Sequence, residues 1–230
     1  MHPLDNVIWT ALTTRQSQFA KSFDQARRFT PEVASLAALL TPTVKGYESL
    51  VGLLDASQTV TLALGAPYQP CPGLNLIVSF PGLQMVCENA TAPLSSPTPD
   101  PEIVELGAAD ASEMMELTAL TKPGPFNKRT YELGTYMGIR RDGKLVAMAG
   151  ERLKVPGYTE VSAVCTHPEH TRRGYARVLM MEVMRRIRGR GETPFLHVRE
   201  DNVRAIELYR RLGYYKRVGL YMTVLRKKSH

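Results

Sequence analysis

The clearest hydrophobic pattern in the chain runs over residues 175–188. Ala176, Leu179, Met180, Val183 and Ile187 recur at helical spacing, while Arg177, Glu182, Arg185 and Arg186 fall mainly on the other side. The stripe predicts an amphipathic helix ended by Gly189-Arg190-Gly191. Strand-like runs flank it: "TEVSAVCTH" before it, "PFLHVR" after it, and then "YYKRVGLYMTVLRK" as one or two closing strands. Between the last two, "DNVRAIELYRRLG" reads as a short helix with Asn202 as cap and Gly213 as stop. A strand, a long helix and a second strand over 160–199 imply a parallel pair. Upstream, "LGTYMGIRRDGKLVAMAGERL" predicts two strands joined at Asp142-Gly143, a hairpin signal. "EIVELG" predicts a strand, and "DASEMMELTALT" a helix with Asp110 as cap and Glu113 three residues on.

The first part of the chain reads differently. "QSQFAKSFDQARRF", "PEVASLAALL" and "VKGYESLVGLLDAS" predict three helices, the second with Thr30 as cap and Pro31 in the first helical position. "TVTLALG", "LNLIVSF" and "LQMVCEN" predict short strands separated by Pro-Gly punctuation. His2 and Trp9 stand alone and suggest no chemistry. "ENATAPLSSPTPDPE", Glu88 to Glu102, holds four prolines and almost no large apolar residue, which is linker composition. The expected division is near residue 97, with a smaller helical/β domain over 1–97 and a second domain over 98–230.

Charge is uneven along the chain in a different place. The chain of 230 residues carries +7, but residues 171–230 hold 16 Lys/Arg against 5 Asp/Glu, a net of +11. Such a region attracts a polyanion or a multiply charged small ligand, and a solvated, arginine-rich surface fits equally. Cys71, Cys87 and Cys165 are scattered and form no disulfide framework. With no apolar run of membrane-spanning length and no secretion signal at the N-terminus, a reducing cytoplasm is expected. The histidines form no metal-ligand spacing, so no metal is expected.

The candidate chemistry begins at "TRRGYA", residues 171–176. Gly174 stands at a helix start after a strand and a short loop. Free N–H groups point outward there, glycine allows close approach, and Arg172 and Arg173 add charge. An anion site and an ordinary strand-to-helix turn both fit. No Gly-Lys-Ser/Thr follows, so it is not a Walker loop. The second piece is "LHVREDNVRAIELYRRLGY", where Tyr209 falls seven residues past Asn202 and shares a helix face with Ala205 and Leu212.

Together, over about residues 102–230, these two pieces resemble the GNAT acyltransferase superfamily. The family pattern is a strand, [QR]-x-x-G-x-[GA], a long helix, a strand, then Asn, a short helix with Tyr, and Leu-Gly-[FY]. Gly174, Ala176, Asn202, Tyr209 and "RLGY" match it; Thr171 departs from it. The resemblance implies an α/β (α+β) fold: a mixed, mostly antiparallel sheet with a central splayed parallel pair, flanked by helices. It also implies an N-acetyltransferase using acetyl-CoA, or another acyl-CoA, as co-substrate without a metal. The first part then looks like the poorly matching N-terminal extension of some bacterial members, with a degenerate copy of the same fold left open. The CoA phosphates would meet Thr171, Arg172, Arg173, Gly174, Tyr175, Ala176 and Arg177, with Asn202, Ala205 and Tyr209 nearby. The pantetheine arm would pair with Val164, Cys165 and Thr166 where the parallel strands splay, through the backbone groups of Val164 and Thr166, with Cys165 not needed as a nucleophile.

Direct attack by an amine requires a base, because a primary amine is protonated at neutral pH. Glu160, His197 and Glu151 lie on strands beside the splay. His197 has a suitable pKa without tuning, while the carboxylates would need burial or a water relay. Tyr209, by the resemblance, is the acid for the departing thiolate. The acceptor would be a small-molecule or peptide amine, and "KPGPFNKRTYELG", Lys122 to Gly134, falls where the family places part of the acceptor wall. No membrane partner is expected, and a homodimer is left open. The rival readings are a nucleic-acid binder using the basic C-terminal residues, which lack a recognised reader motif, and a catalytically inactive acyl-CoA sensor.

Overall fold

The computed structural model describes residues 2–89 and 101–229. The chain opens with α1 (Val7–Thr13), then a hairpin of β1 (Ala20–Phe23) and β2 (Ala26–Phe29), which pairs with β3 (Ala37–Leu39) in a small antiparallel sheet. α2 (Val44–Leu53), β4 (Thr59–Leu64) and β5 (Leu74–Val86) follow. After the undescribed stretch come β6 (Val104–Leu106), α3 (Ala111–Thr121), β7 (Tyr136–Arg141), β8 (Lys144–Val155) and β9 (Tyr158–Thr166). The C-terminal elements are α4 (Tyr175–Gly189), β10 (Thr193–Arg199), α5 (Val203–Arg211) and β11 (Tyr215–Lys227).

Eight strands form one sheet in the order β4-β11-β5-β10-β9-β8-β7-β6. Its parallel strand pair among the described residues is β9 with β10, as the strand-helix-strand pattern predicts, and the fold class is the expected mixed, mostly antiparallel one. The division expected near residue 97 lies outside the described residues. On either side of it the strands join the same sheet: β5 lies between β10 and β11, antiparallel to both.

Three readings of the first part need correction. The stretch 16–29 is a hairpin, not a helix, turning at Asp24, whose φ of 44° is left-handed. The stretch 31–40 is a turn followed by β3; Thr30 does not cap a helix but accepts the N–H of Val33 within that turn. Its alanines and leucines suit a helix, yet β3 is buried along its whole length, so packing overrides propensity. The two strands read on either side of Pro81-Gly82 are one, β5. Pro81 stands where pairing with β10 begins, at a sheet edge, a place where a strand tolerates proline. At Gly82 a Cβ would come within 3.2 Å of the Val198 carbonyl oxygen, so the approach of β5 to β10 leaves little room for a side chain there.

One face of the sheet carries α4 and α5, with Leu179, Met180, Val183, Ile187, Ile206 and Tyr209 in a single buried cluster. The other face carries α1, α3 and the small sheet. Here Leu4, Ile8, Phe29 and Leu36, from residues before β4, pack on Phe195, Leu153 and Val155 of the later strands. No helix among the described residues is long and apolar enough to cross a membrane.

Candidate active site

The parallel ladder between β9 and β10 ends at the pair Phe195–Glu160. Beyond it, β9 continues to Thr166 paired only with β8, so its other edge is open over 161–166. Two bulges shape this region. On β8, Arg152 and Leu153 stand opposite the single residue Glu160; on β9, Ala163 and Val164 stand opposite Ala149, and Ala163 has a φ of 52°. Bulges re-aim side chains, and the first of these sets both Arg152 and Leu153 against Glu160; Glu151 and Arg152 are both buried.

At the far end of β9 the chain turns into α4. The His167 ring accepts the Glu169 N–H, and the Thr171 hydroxyl donates to the Pro168 carbonyl at 3.1 Å. Thr171 thus helps to build the turn. Arg172 and Gly174 both have left-handed backbones, φ 64° and 78°, and a Cβ at Gly174 would meet nothing. α4 has no side-chain cap, leaving its first N–H groups to whatever lies beyond its start. Arg172 and Arg173 are exposed there, while Tyr175 is buried and accepts a hydrogen bond from Arg141 Nε at 3.1 Å. An uncapped helix start, two exposed guanidiniums and an open strand edge suit a phosphate-bearing ligand whose amide arm follows β9, so acetyl-CoA fits these residues.

Val164, Tyr175, Ala205 and Tyr209 meet in the cluster under α4 and α5. Asn202 caps α5, its Oδ1 accepting the Ala205 N–H at 3.2 Å, and so fixes the helix that carries Tyr209. Burial pushes the Tyr209 phenol up to about 12, which keeps it protonated. Burial likewise pushes the Cys165 thiol up to about 11, so it is a poor nucleophile, as expected for a packing residue.

The three candidate bases have different surroundings. Glu151 is fully buried and held by Lys154 Nζ at 2.8 Å and Arg190 Nη2 at 2.7 Å. Glu160 is also fully buried; Arg152 grips it with Nε at 2.8 Å and Nη2 at 2.7 Å, and His197 Nδ1 lies 2.7 Å from its Oε1. Burial alone would raise the Glu160 carboxyl, but the Arg152 charge and the bonds from Arg152 and His197 outweigh it and hold it well below the usual carboxylate range. Both carboxylates are therefore clamped ions.

His197 is the remaining candidate, and its tautomer follows from its neighbours. Gln84 Oε1 accepts from Arg217 Nη1 at 2.9 Å, and Gln84 Nε2 donates to the Leu4 carbonyl at 3.1 Å. With its amide oriented in this way, Gln84 presents N–H to His197 Nε2, 3.1 Å away. Nε2 must then be the acceptor, so the ring proton sits on Nδ1 and points at Glu160. Arg217 itself pairs with Asp5, and a polar row runs from Asp5 through Arg217, Gln84, His197 and Glu160 to Arg152.

At its Arg152 end this row reaches a cleft lined by residues 123–126 with Tyr136, Arg152, Ser162 and Ala163. The loop segment expected as part of an acceptor wall stands at this cleft, beside the splay. Arg152, Gln84, Arg217 and Tyr136 were not singled out in the sequence. A lone glutamine inside an apolar strand run was the available signal for Gln84, while Arg152 stands among the charged neighbours Glu151 and Lys154. Among the described residues no group of three or more His, Cys, Asp or Glu side chains is placed to hold a metal. The basic excess is partly spent internally: Arg185, Arg186, Arg190, Arg199, Arg211 and Arg217 all pair with carboxylates.

The chain is similar to several known proteins. The FR47-like protein family matches residues 136–222. Over 140 residues the chain is 37% identical to the N-alpha-acetyltransferase RimI of Mycobacterium tuberculosis, a match covering 54% of this chain and 85% of RimI. A GNAT-family protein from Novosphingobium aromaticivorans is 38% identical, with 100% of both chains covered and a TM-score of 0.89. A GCN5-related N-acetyltransferase from Kribbella flavida shares the fold at 18% identity, with a TM-score of 0.59 over 96% of both chains.

Proposed function

The chain belongs to the GNAT family of N-acetyltransferases, and on that premise we propose that it moves an acetyl group from acetyl-CoA to a primary amine by direct attack, with His197 as base and Tyr209 as acid. The observation that carries this reading is the pairing of His197 with Glu160 where the parallel strands part. Acetyl-CoA supplies the acetyl group activated as a thioester. Arg172, Arg173 and the start of α4 hold its phosphates, and the backbone of Val164 and Thr166 holds its amide arm along the open edge of β9.

His197 Nε2 takes the proton of the incoming amine, directly or through a water. Of the three candidate bases it alone is not ion-paired to an arginine or lysine; its Nε2 partner Gln84 is a neutral amide, which a proton on Nε2 would displace. Glu160 fixes the ring and stabilises the imidazolium that forms. Tyr209 holds a proton at its phenol oxygen for the departing thiolate. Residues before 97 cover the acceptor side of the sheet in this reading, through Leu4, Asp5 and Gln84.

The direct test is acetyl-CoA-dependent thiol release across a panel of primary amines. Release with at least one amine is expected, and His197→Gln should lower kcat by about 10²-fold or more. CoA binding with no release from any amine would favour the sensor instead. A second measurement addresses the phosphate site. Replacing Arg172 and Arg173 together with Ala is expected to weaken CoA binding about tenfold at low ionic strength and less at high salt, because exposed charges are screened. Unchanged affinity in calorimetric titration would remove both arginines from the site.

A further inference from the structure

The first half of β5, residues 74–80, is a bare strand edge. On one side it pairs with β11; on the other, pairing with β10 begins only at Gly82. The last backbone bond on that side runs from the Glu200 N–H to the Pro81 carbonyl, at 3.1 Å. Between Asn75 and Phe80 the backbone has no partner there among the described residues. The side chains are apolar and open to solvent: Leu76 is 49% exposed, Ile77 46% and Val78 44%. From Leu74 to Gly82 the strand carries no charged residue.

An edge of this kind pairs with another chain unless it is guarded. Other edges of the molecule are guarded. β4, outermost at one end of the large sheet, is covered by residues 35–36, with the Thr61 N–H bonded to the Ser35 carbonyl at 2.7 Å. β6, outermost at the other end, is three residues long and carries Glu105, which pairs with Arg186. β1, at an edge of the small sheet, is four residues long and carries the exposed Lys21. The open stretch of β9 has the amide arm as its occupant in the reading above. On β5 the guards are a bulge at Ile77 in its pairing with β11 and Pro81 at its end, and neither puts a charge on the edge.

The two ends of the bare stretch decide what fits it. At the Leu74 end lies Lys228, whose N–H bonds to the Gly73 carbonyl at 3.0 Å; at the Phe80 end lies Glu200, bonded to Pro81. Asp201 is taken by Arg199, while Glu200 and Lys228 are exposed and have no ion pair among the described residues. A strand laid antiparallel on residues 74–80 meets both charges with opposite ones if it is acidic where this edge is basic and basic where it is acidic. A second copy of the same strand meets that requirement. A two-fold axis near Ile77 sets Leu74 of each copy opposite Phe80 of the other, and so brings Lys228 of each toward Glu200 of the other. The uncharged middle suits this contact too, because a charge near the axis would face its own copy.

We propose that residues 74–80 of β5 pair antiparallel with the same residues of a second copy of this chain, joining two molecules about a two-fold axis near Ile77. The contact covers Leu76, Ile77 and Val78 and gives the bare backbone groups their partners. It is independent of the acetyl-transfer reading. A contact of this length falls at the small end of specific interfaces, below roughly 1,200 Å², so the dimer is expected to depend on concentration.

Sedimentation velocity of the full chain from about 1 to about 100 μM should show a monomer–dimer equilibrium. Val78→Lys sets like charges against each other near the axis and should weaken the dimer about tenfold or more, with an unchanged circular dichroism spectrum. Two exposed substitutions keep the test open if that variant fails to fold. Glu200→Lys and Lys228→Glu should each weaken the dimer, and the double variant should restore it. Mild oxidation of Ile77→Cys should give a disulfide-linked dimer, and oxidation of Val44→Cys, exposed on α2, should not; the native cysteines are all buried. A monomer at every concentration overturns the proposal. A dimer that survives Val78→Lys and both single charge reversals also overturns it, because such a dimer uses another face. So does Ile77→Cys that cross-links no better than Val44→Cys.

Discussion

Tyr209→Phe is expected to lower kcat by about 10²-fold or more while leaving CoA affinity and the melting temperature close to wild type. The phenol is buried under α5, and its shift to about 12 keeps a proton on the oxygen throughout the working pH range. A group that must give a proton to a thiolate is best left in that state. The substitution removes one oxygen and keeps the ring, so packing against Tyr214, 6.1 Å away between centroids, survives. The sign of the pH dependence follows. Wild-type activity carries no descending limb from Tyr209 until the pH nears its raised value, and the variant changes the height of the profile, not its alkaline edge. Equal losses in kcat and CoA affinity, or a clear fall in melting temperature, would make Tyr209 a structural tyrosine.

The second large effect concerns stability. Glu160→Gln leaves the Arg152 guanidinium buried without its counter-charge, and breaking a buried pair in this way costs about 3–5 kcal/mol. The cost depends on pH in a fixed direction. The Glu160 carboxyl in the folded protein lies well below its ordinary 4.5, because the Arg152 charge and the Arg152 and His197 bonds outweigh the effect of burial. Its contribution is therefore complete above about pH 4.5 and is lost as the pH falls toward the folded value. Urea unfolding of the two proteins should show a wide gap at pH 7 that narrows at pH 3–4. Parallel stabilities across that range would mean that the carboxylate charge does not hold the pair together.

The C-terminal elements were legible because their signals are local. The stripe from Ala176 to Ile187, the Asn202 cap, the Asp142-Gly143 turn and the Gly213 stop each act within a few residues, and each stands where expected. The first part was harder to read because its structure is set from a distance. β3 is a strand because it is buried between β2 and the core, and β5 runs through Pro81-Gly82 because β11 pairs with both halves. α1 carries β-branched residues and gave no helix signal; packing of Val7, Ile8, Ala11 and Leu12 holds it.

The same reasoning divides the site. The phosphate end, residues 171–177, is a contiguous motif. Glu160 and His197 could be placed beside the splay from strand order. Their partners could not: Arg152 opposes Glu160 only because of a bulge, and Gln84 reaches His197 only because β5 neighbours β10. Once those partners are in view, two of the three candidate bases become fixed ions and the third acquires a defined tautomer.

The position of β5 also bears on how the molecule assembles. Met85 pairs with Lys216 and Leu74 with Lys227, contacts between residues far apart in the chain, and β4 pairs with β11 in the same way. Such contacts raise contact order, and loop-closure entropy must be met before they stabilise anything. During synthesis β4 and β5 emerge well before β11 and wait as unpaired edges until it arrives, a condition that favours aggregation. A fragment beginning after residue 97 would hold β10 and β11 with no strand between them, and His197 without Gln84. Folding of this enzyme is thus expected to be slow and to finish late, with the strand that separates β10 from β11 locked only after β11 is made.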